Sequence, residues 1–132
     1  MDSLQVKQVG KPKNKKKRRS KMLNKRTLAL GRMKAGRMND TEFAYSKTLE
    51  LRKIAGEIAW YAFERLTFRL ADNTRYTPDF TVMLANGELE LHEVKGYWTD
   101  DARVKIKVAA DQNPMRFIGV RRVKGKWEVE EF

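Results

Sequence analysis

The chain has 132 residues, 41% of them hydrophobic and none of them cysteine; this suffices for one domain with a modest core and excludes disulfides and thiolate metal sites. Its formal net charge is +12, an excess that suits a polyanionic partner. No apolar run approaches the roughly 18 residues of a membrane span and the charged start lacks an apolar signal core, so no membrane partner is expected and a reducing, cytoplasmic setting is compatible.

The charge is unevenly spread. Residues 1–38 hold 14 of the 29 Lys/Arg but one of the 17 acids, which leaves the remainder nearly neutral. The run KPKNKKKRRSKMLNKR at 11–26 repels itself and can bury little surface, so residues 1–38 are expected to be a disordered, nucleic-acid-binding arm. Each phosphate neutralised by such an arm releases a counterion. Lys13, Lys15, Lys16, Lys17, Arg18 and Arg19 are the expected sequence-independent contacts. A solubilising tail or a localisation signal has the same composition. An anionic membrane surface would also attract it, but the arm has no clear apolar face before Leu28, which favours DNA or RNA.

A folded domain is predicted over 39–132. Asn39 or Asp40 caps a first helix, with Glu42 in its first turn. Leu51, Ile54, Ala55 and Ile58 follow the spacing of a buried stripe, and Gly56 ends the helix. Residues 61–70 (YAFERLTFRL) read as a strand, and Asp72-Asn73 as a turn. Strands follow at 79–84 and 88–95, joined through Ala85-Asn86-Gly87, a strong hairpin signal. A second helix starts at Thr99, Asp100 or Asp101 and stops before Asn113-Pro114. Residues 116–123 and 126–131 make a last hairpin around Lys124-Gly125. The predicted order is α-β-β-β-α-β-β.

The informative stretch is Pro78-Asp79-Phe80, the hairpin, then Glu93-Val94-Lys95. Residues two apart on a strand share a face, so Glu93 and Lys95 point the same way, beyond Leu89 and Leu91. Charges at the end of an apolar face are costly unless paired or bound to an ion. A tight hairpin sets the start of one strand beside the end of the next, which makes Asp79 and Glu93 cross-strand neighbours. Two adjacent carboxylates repel unless a cation lies between them. Oxygen ligands without His or Cys suit magnesium, or manganese in its place. The Val94 carbonyl is a candidate third ligand. A metal-bound water would be the nucleophile on a phosphodiester, with Lys95 orienting it and stabilising the transition state.

Pro78, Asp79, Glu93 and Lys95, set at the ends of hydrophobic strands, resemble the PD-(D/E)xK nuclease superfamily. Residues 39–58 (NDTEFAYSKTLELRKIAGEI), YTPDF and HEVKGYW also look like a group of small phage-encoded proteins of that superfamily. The resemblance covers roughly 39–132. It implies an α/β, restriction-endonuclease-like core with a mixed sheet of four or five strands flanked by helices. It puts a helix acid on Glu42, with Glu50 as the alternative, and raises Lys105 or Lys107 as DNA-backbone contacts. It further implies a magnesium-dependent endonuclease acting on branched or recombining phage DNA such as Holliday junctions, as a homodimer, in the host cytoplasm.

Plainer readings stand beside these. Asp79 can merely start a strand, and Glu93 with Lys95 can be an exposed pair. A non-catalytic DNA- or RNA-binding or packaging protein on a nuclease scaffold would explain the arm fully. His92 should point away from Glu93 in a structural or surface role. Of Tyr97 and Trp98, one is expected as a core anchor; an unpaired base is the alternative partner for such rings. Arg103, Lys105 and Lys107 cannot share one narrow helix face. Arg121, Arg122, Lys124 and Lys126 read as surface.

Overall fold

In a computed structural model that describes residues 36–132, helix α1 (Asp40–Ile54) opens with a capping box. The Asn39 side chain accepts from the Glu42 amide, and Glu42 Oε1 accepts from the Asn39 amide, both at 2.8 Å. Two of the orphan donors at a helix start are thereby satisfied. Gly56, just past the C-cap Ala55, takes φ +80° and reverses the chain. The expected arm, with Lys13, Lys15, Lys16, Lys17, Arg18 and Arg19, lies outside the described residues.

Seven strands follow in order: β1 (Ile58–Phe63), β2 (Phe68–Ala71), β3 (Thr74–Tyr76), β4 (Phe80–Leu84), β5 (Leu89–Lys95), β6 (Arg116–Val123) and β7 (Lys126–Glu131). Helix α2 (Asp100–Gln112) lies between β5 and β6, capped by Thr99, whose hydroxyl accepts from the Ala102 amide at 3.2 Å. The main sheet has the order β1-β4-β5-β6-β7. All its pairs are antiparallel except β5 with β6, which run parallel across the α2 crossover. The protein is therefore α/β with a mixed five-stranded sheet and two helices among the described residues.

The alternation of β4, β5 and β6 divides the core between the two faces. On one, Tyr45 and Leu49 of α1 pack with Ile58, Phe80, Val82, Val94, Ile118 and Val120. On the other, Ile106 and Ala109 of α2 pack with Leu91, Phe117 and Tyr76. The β2–β3 hairpin shares this second face, and its end is tied to α2 by Gln112 Nε2, which donates to the Leu70 carbonyl at 3.1 Å.

Two expectations need correction. The single strand read over 61–70 is two strands. The chain turns at Glu64, which has φ 47°, and residues 68–71 pair with 74–76 as a separate hairpin around Asn73. The expected stripe of Leu51, Ile54 and Ala55 faces outward, with Leu51 67% and Ile54 75% exposed. The inward face of α1 carries Glu42, Tyr45 and Leu49 instead. Leu51 lies two residues, about 200° of helical rotation, from Leu49 and so cannot share its side. Ile58 is buried, but as the first residue of β1.

Candidate active site

The register that pairs Phe80 with His92 makes Asp79 and Glu93 the next residues along the two strands. Asp79 immediately precedes β4, after the buried Pro78, and its carbonyl accepts from the Glu64 amide at 2.8 Å. Its Oδ2 accepts from the Val94 amide at 2.8 Å, which fixes the carboxyl against β5. Glu93 is held from two sides. Its Oε2 accepts from the Tyr76 hydroxyl at 2.5 Å, and its Oε1 lies 3.2 Å from Lys95 Nζ. Glu42 of α1 stands close enough to Asp79 to raise its carboxyl. Glu42, Asp79 and Glu93 are 8%, 9% and 6% exposed; Lys95 is half-buried.

Burial is the main force on Asp79, and the Glu93 charge adds to it. The Val94 amide opposes both, while Glu42 raises the carboxyl further. The result is a carboxyl pushed up to about 9, protonated at neutral pH when no cation is near. The Tyr76 hydroxyl is driven far up, by burial first and then by Glu93, so it remains a donor. Such a cluster invites a cation to replace the proton.

The donors fit a hard divalent ion: they are carboxylate oxygens, with the histidine directed elsewhere. Among the described residues, no group of three or more His, Cys, Asp or Glu side chains is arranged as a metal cage. Magnesium does not require one, since it usually binds through one or two carboxylates together with waters and substrate phosphates. The oxygens already bonded to Val94 and Tyr76 are orientation points for the two acids.

Other expected residues are sorted by the fold. Glu50 accepts from the Tyr61 hydroxyl at 2.7 Å, so the helix acid beside Asp79 is Glu42. His92 faces α1, away from Glu93. Its Nδ1 lies 2.7 Å from the Tyr45 hydroxyl and its Nε2 lies 3.0 Å from Glu90 Oε1. All three are buried, and Arg116 closes the chain outward by donating to Glu90 at 2.8 Å. Glu90 is held below its ordinary range by its His92 hydrogen bond and by nearby positive charge.

Lys105 lines a cleft together with Glu93 and Lys95. Lys107 instead lies near enough to Glu130 to lower that carboxyl, the larger cause there being the Arg103 hydrogen bond. Trp98 is the anchor of the aromatic pair: its indole meets Phe132 edge-on at 5.5 Å between centroids and fills the space over Gly119. Tyr97 is 75% exposed. Arg121 pairs with Glu128 at 3.3 Å, and Arg122 lies over the Trp127 ring.

Tyr76 and Arg75, the latter also lining the cleft, are contributions that sequence reasoning missed. The signal was present: Asp72-Asn73 between Phe68/Leu70 and Tyr76 is a hairpin pattern, and that hairpin delivers Tyr76 to Glu93. Compared with protein families, curated proteins and solved structures, the chain gives no match. No helix among the described residues is long and apolar enough to cross a membrane.

Proposed function

We propose that this protein is a metal-dependent endonuclease with a restriction-endonuclease-like, PD-(D/E)xK core, hydrolysing phosphodiester bonds in DNA. The observation that carries this reading is the convergence of Asp79, Glu93 and Glu42 in a buried cluster with Lys95 at its edge. Asp79 and Glu93 would hold magnesium, with the Val94 carbonyl as a candidate third ligand and Glu42 shaping the site. When bound, the ion neutralises charge building on the phosphate and makes its water more acidic.

The chain's own groups set the geometry. The Val94 amide and the Tyr76 hydroxyl aim the two acids. Lys95, whose ammonium lies beside Glu93 Oε1, is poised to orient the attacking water and to donate to a non-bridging phosphate oxygen. Buried surroundings strengthen both effects. The basic segment at 1–38 supplies sequence-independent phosphate contacts. We take branched or recombining phage DNA, including Holliday junctions, as the substrate, with a homodimer cutting two strands in the host cytoplasm.

The test is cleavage of linear duplex, single strand, flap and four-way junction, with magnesium and with chelator, by wild type, Asp79→Ala and Lys95→Ala. Cutting that needs magnesium and fails in both variants is expected. Equal cutting by wild type and Lys95→Ala would dispose of the mechanism. The basic segment also favours a second reading, a DNA- or RNA-binding or packaging protein without catalysis. Binding without cleavage, with an unchanged salt slope in Glu93→Ala, supports that one.

A further inference from the structure

Beside the acids lies a cleft of about 340 Å³, lined by Arg75, Tyr76 and Thr77 of the hairpin side, Glu93 and Lys95 of β5, and Asp101, Ala102 and Lys105 of α2. Its volume falls at the small end of ligand pockets, which run roughly 300–1,000 Å³. The two acids on its wall differ in standing. Glu93 is already matched by Tyr76 and Lys95, while Asp101 is exposed near the α2 N-terminus. Arg75 and Lys105 are exposed, and neither forms an ion pair with an acid among the described residues, whereas Arg52, Arg103, Arg116 and Arg121 each do.

Two unmatched cations, delivered by different elements into one small cleft beside a candidate hydrolytic centre, make an anion subsite. We infer that this cleft holds one nucleotide of the bound strand, with Arg75 and Lys105 gripping the phosphate next to the one attacked. The strand thus passes between the β2–β3 hairpin and α2. Arg75 is well suited to this, because its planar fork can engage two phosphate oxygens at once. The subsite is a phosphate-reading one: Arg75 and Lys105 supply the charge, Asp101 is the one exposed acid on the wall, and the Tyr76 and Thr77 hydroxyls are already bonded to Glu93 and Thr67. This inference rests on the nuclease reading for the meaning of the site, but not for its measurement.

The test is a site-resolved amide NMR titration of the full-length protein, in chelator, with thymidine 5′-monophosphate and with thymidine. With the monophosphate, signals of Arg75, Tyr76, Thr77, Ala102 and Lys105 should move together, and thymidine should leave them unmoved. Arg75→Ala and Lys105→Ala should each weaken the response about tenfold, as expected for the loss of one charge-assisted hydrogen bond. Both side chains are exposed, so the variants should keep the wild-type spectrum elsewhere, and Arg75→Lys should recover part of the affinity. Shifts confined to residues 1–38, an equal response to thymidine, or unchanged affinity in both variants overturn the subsite. Because chelator is present, a cleft that binds in a protein that never cuts would sink the nuclease reading alone. Cutting by a protein whose cleft ignores the nucleotide would sink this one alone.

Discussion

Tyr76 and Glu93 meet across the junction of two sheets, the hydroxyl of the small hairpin donating to Oε2 of the main sheet at 2.5 Å. Both are buried, so the bond is shielded from competing water. Tyr76→Phe removes the donor but keeps the ring in the α2-side core. The expected loss is about 1–3 kcal/mol of stability, the usual cost of stranding a buried acceptor, together with a roughly 10–100-fold fall in magnesium affinity or cleavage rate. Thermal melting and single-turnover cleavage check the two effects. A variant with full activity would show that Glu93 needs no such support.

Asp79→Asn should stabilise the metal-free protein, and increasingly so as pH rises. The Asp79 carboxyl is raised by burial and its acidic neighbours to about 9, against roughly 3.9 in an unfolded chain. Between these values the folded state binds the extra proton, so stability falls as pH rises through the window. The asparagine variant lacks that slope. Melting curves in chelator should nearly coincide near pH 4 and separate progressively up to pH 8, with Asp79→Asn the more stable at the alkaline end. Parallel curves across the range would refute the electrostatic account.

Magnesium should act in the opposite sense. Binding requires the ionised carboxylate, so a proton must leave the cluster as the ion enters. Titrating magnesium into wild type should release protons at pH 7 and raise the melting temperature more at pH 8 than at pH 5. Calorimetry in two buffers of different ionisation enthalpy measures the release. Asp79→Asn should show neither effect, and an identical response there would move the ion elsewhere.

Thr81 of β4, two residues after Asp79, has a buried hydroxyl with no hydrogen-bond partner among the described residues. Thr81→Val keeps the β-branched shape and removes an unsatisfied polar atom. A gain of about 1 kcal/mol is expected, measured by denaturant midpoint. A loss of that size would mean that the hydroxyl has a partner after all.

Gly119 pairs with Glu93 across β5 and β6, directly beneath the Trp98 indole. A Cβ there would collide with Trp98 and with Phe132. Gly119→Ala should cost about 1–3 kcal/mol, as overpacking does, and near-ultraviolet dichroism should report the displaced tryptophan. Unchanged stability and spectrum would mean that the indole yields without strain.

The sequence disclosed what local rules govern. The limits of β5, β6, β7 and α2 follow from alternation, Asn-Gly and Asn-Pro, and the neighbouring of Asp79 and Glu93 follows from a hairpin's register. Glu42 beside Asp79 came from resemblance, since an acid three residues after a capping Asn is otherwise a routine helix start. What escaped depended on distant packing. The inward face of α1 is chosen by where Tyr45 meets His92 and Phe80, 47 and 35 positions away. Trp98 was selected over Tyr97 by a gap above a glycine 21 positions on. The β2–β3 hairpin was hidden because an aromatic-rich run continued past the bend at Glu64.

Glu42 holds two posts at once, closing the first turn of α1 through Asn39 while standing against Asp79. The carboxyl is consequently braced by the backbone of its own helix, and swinging toward solvent would cost it the bond to the Asn39 amide. The head of α1 and the acidic cluster thus share one carboxyl, so loosening either bears on the other.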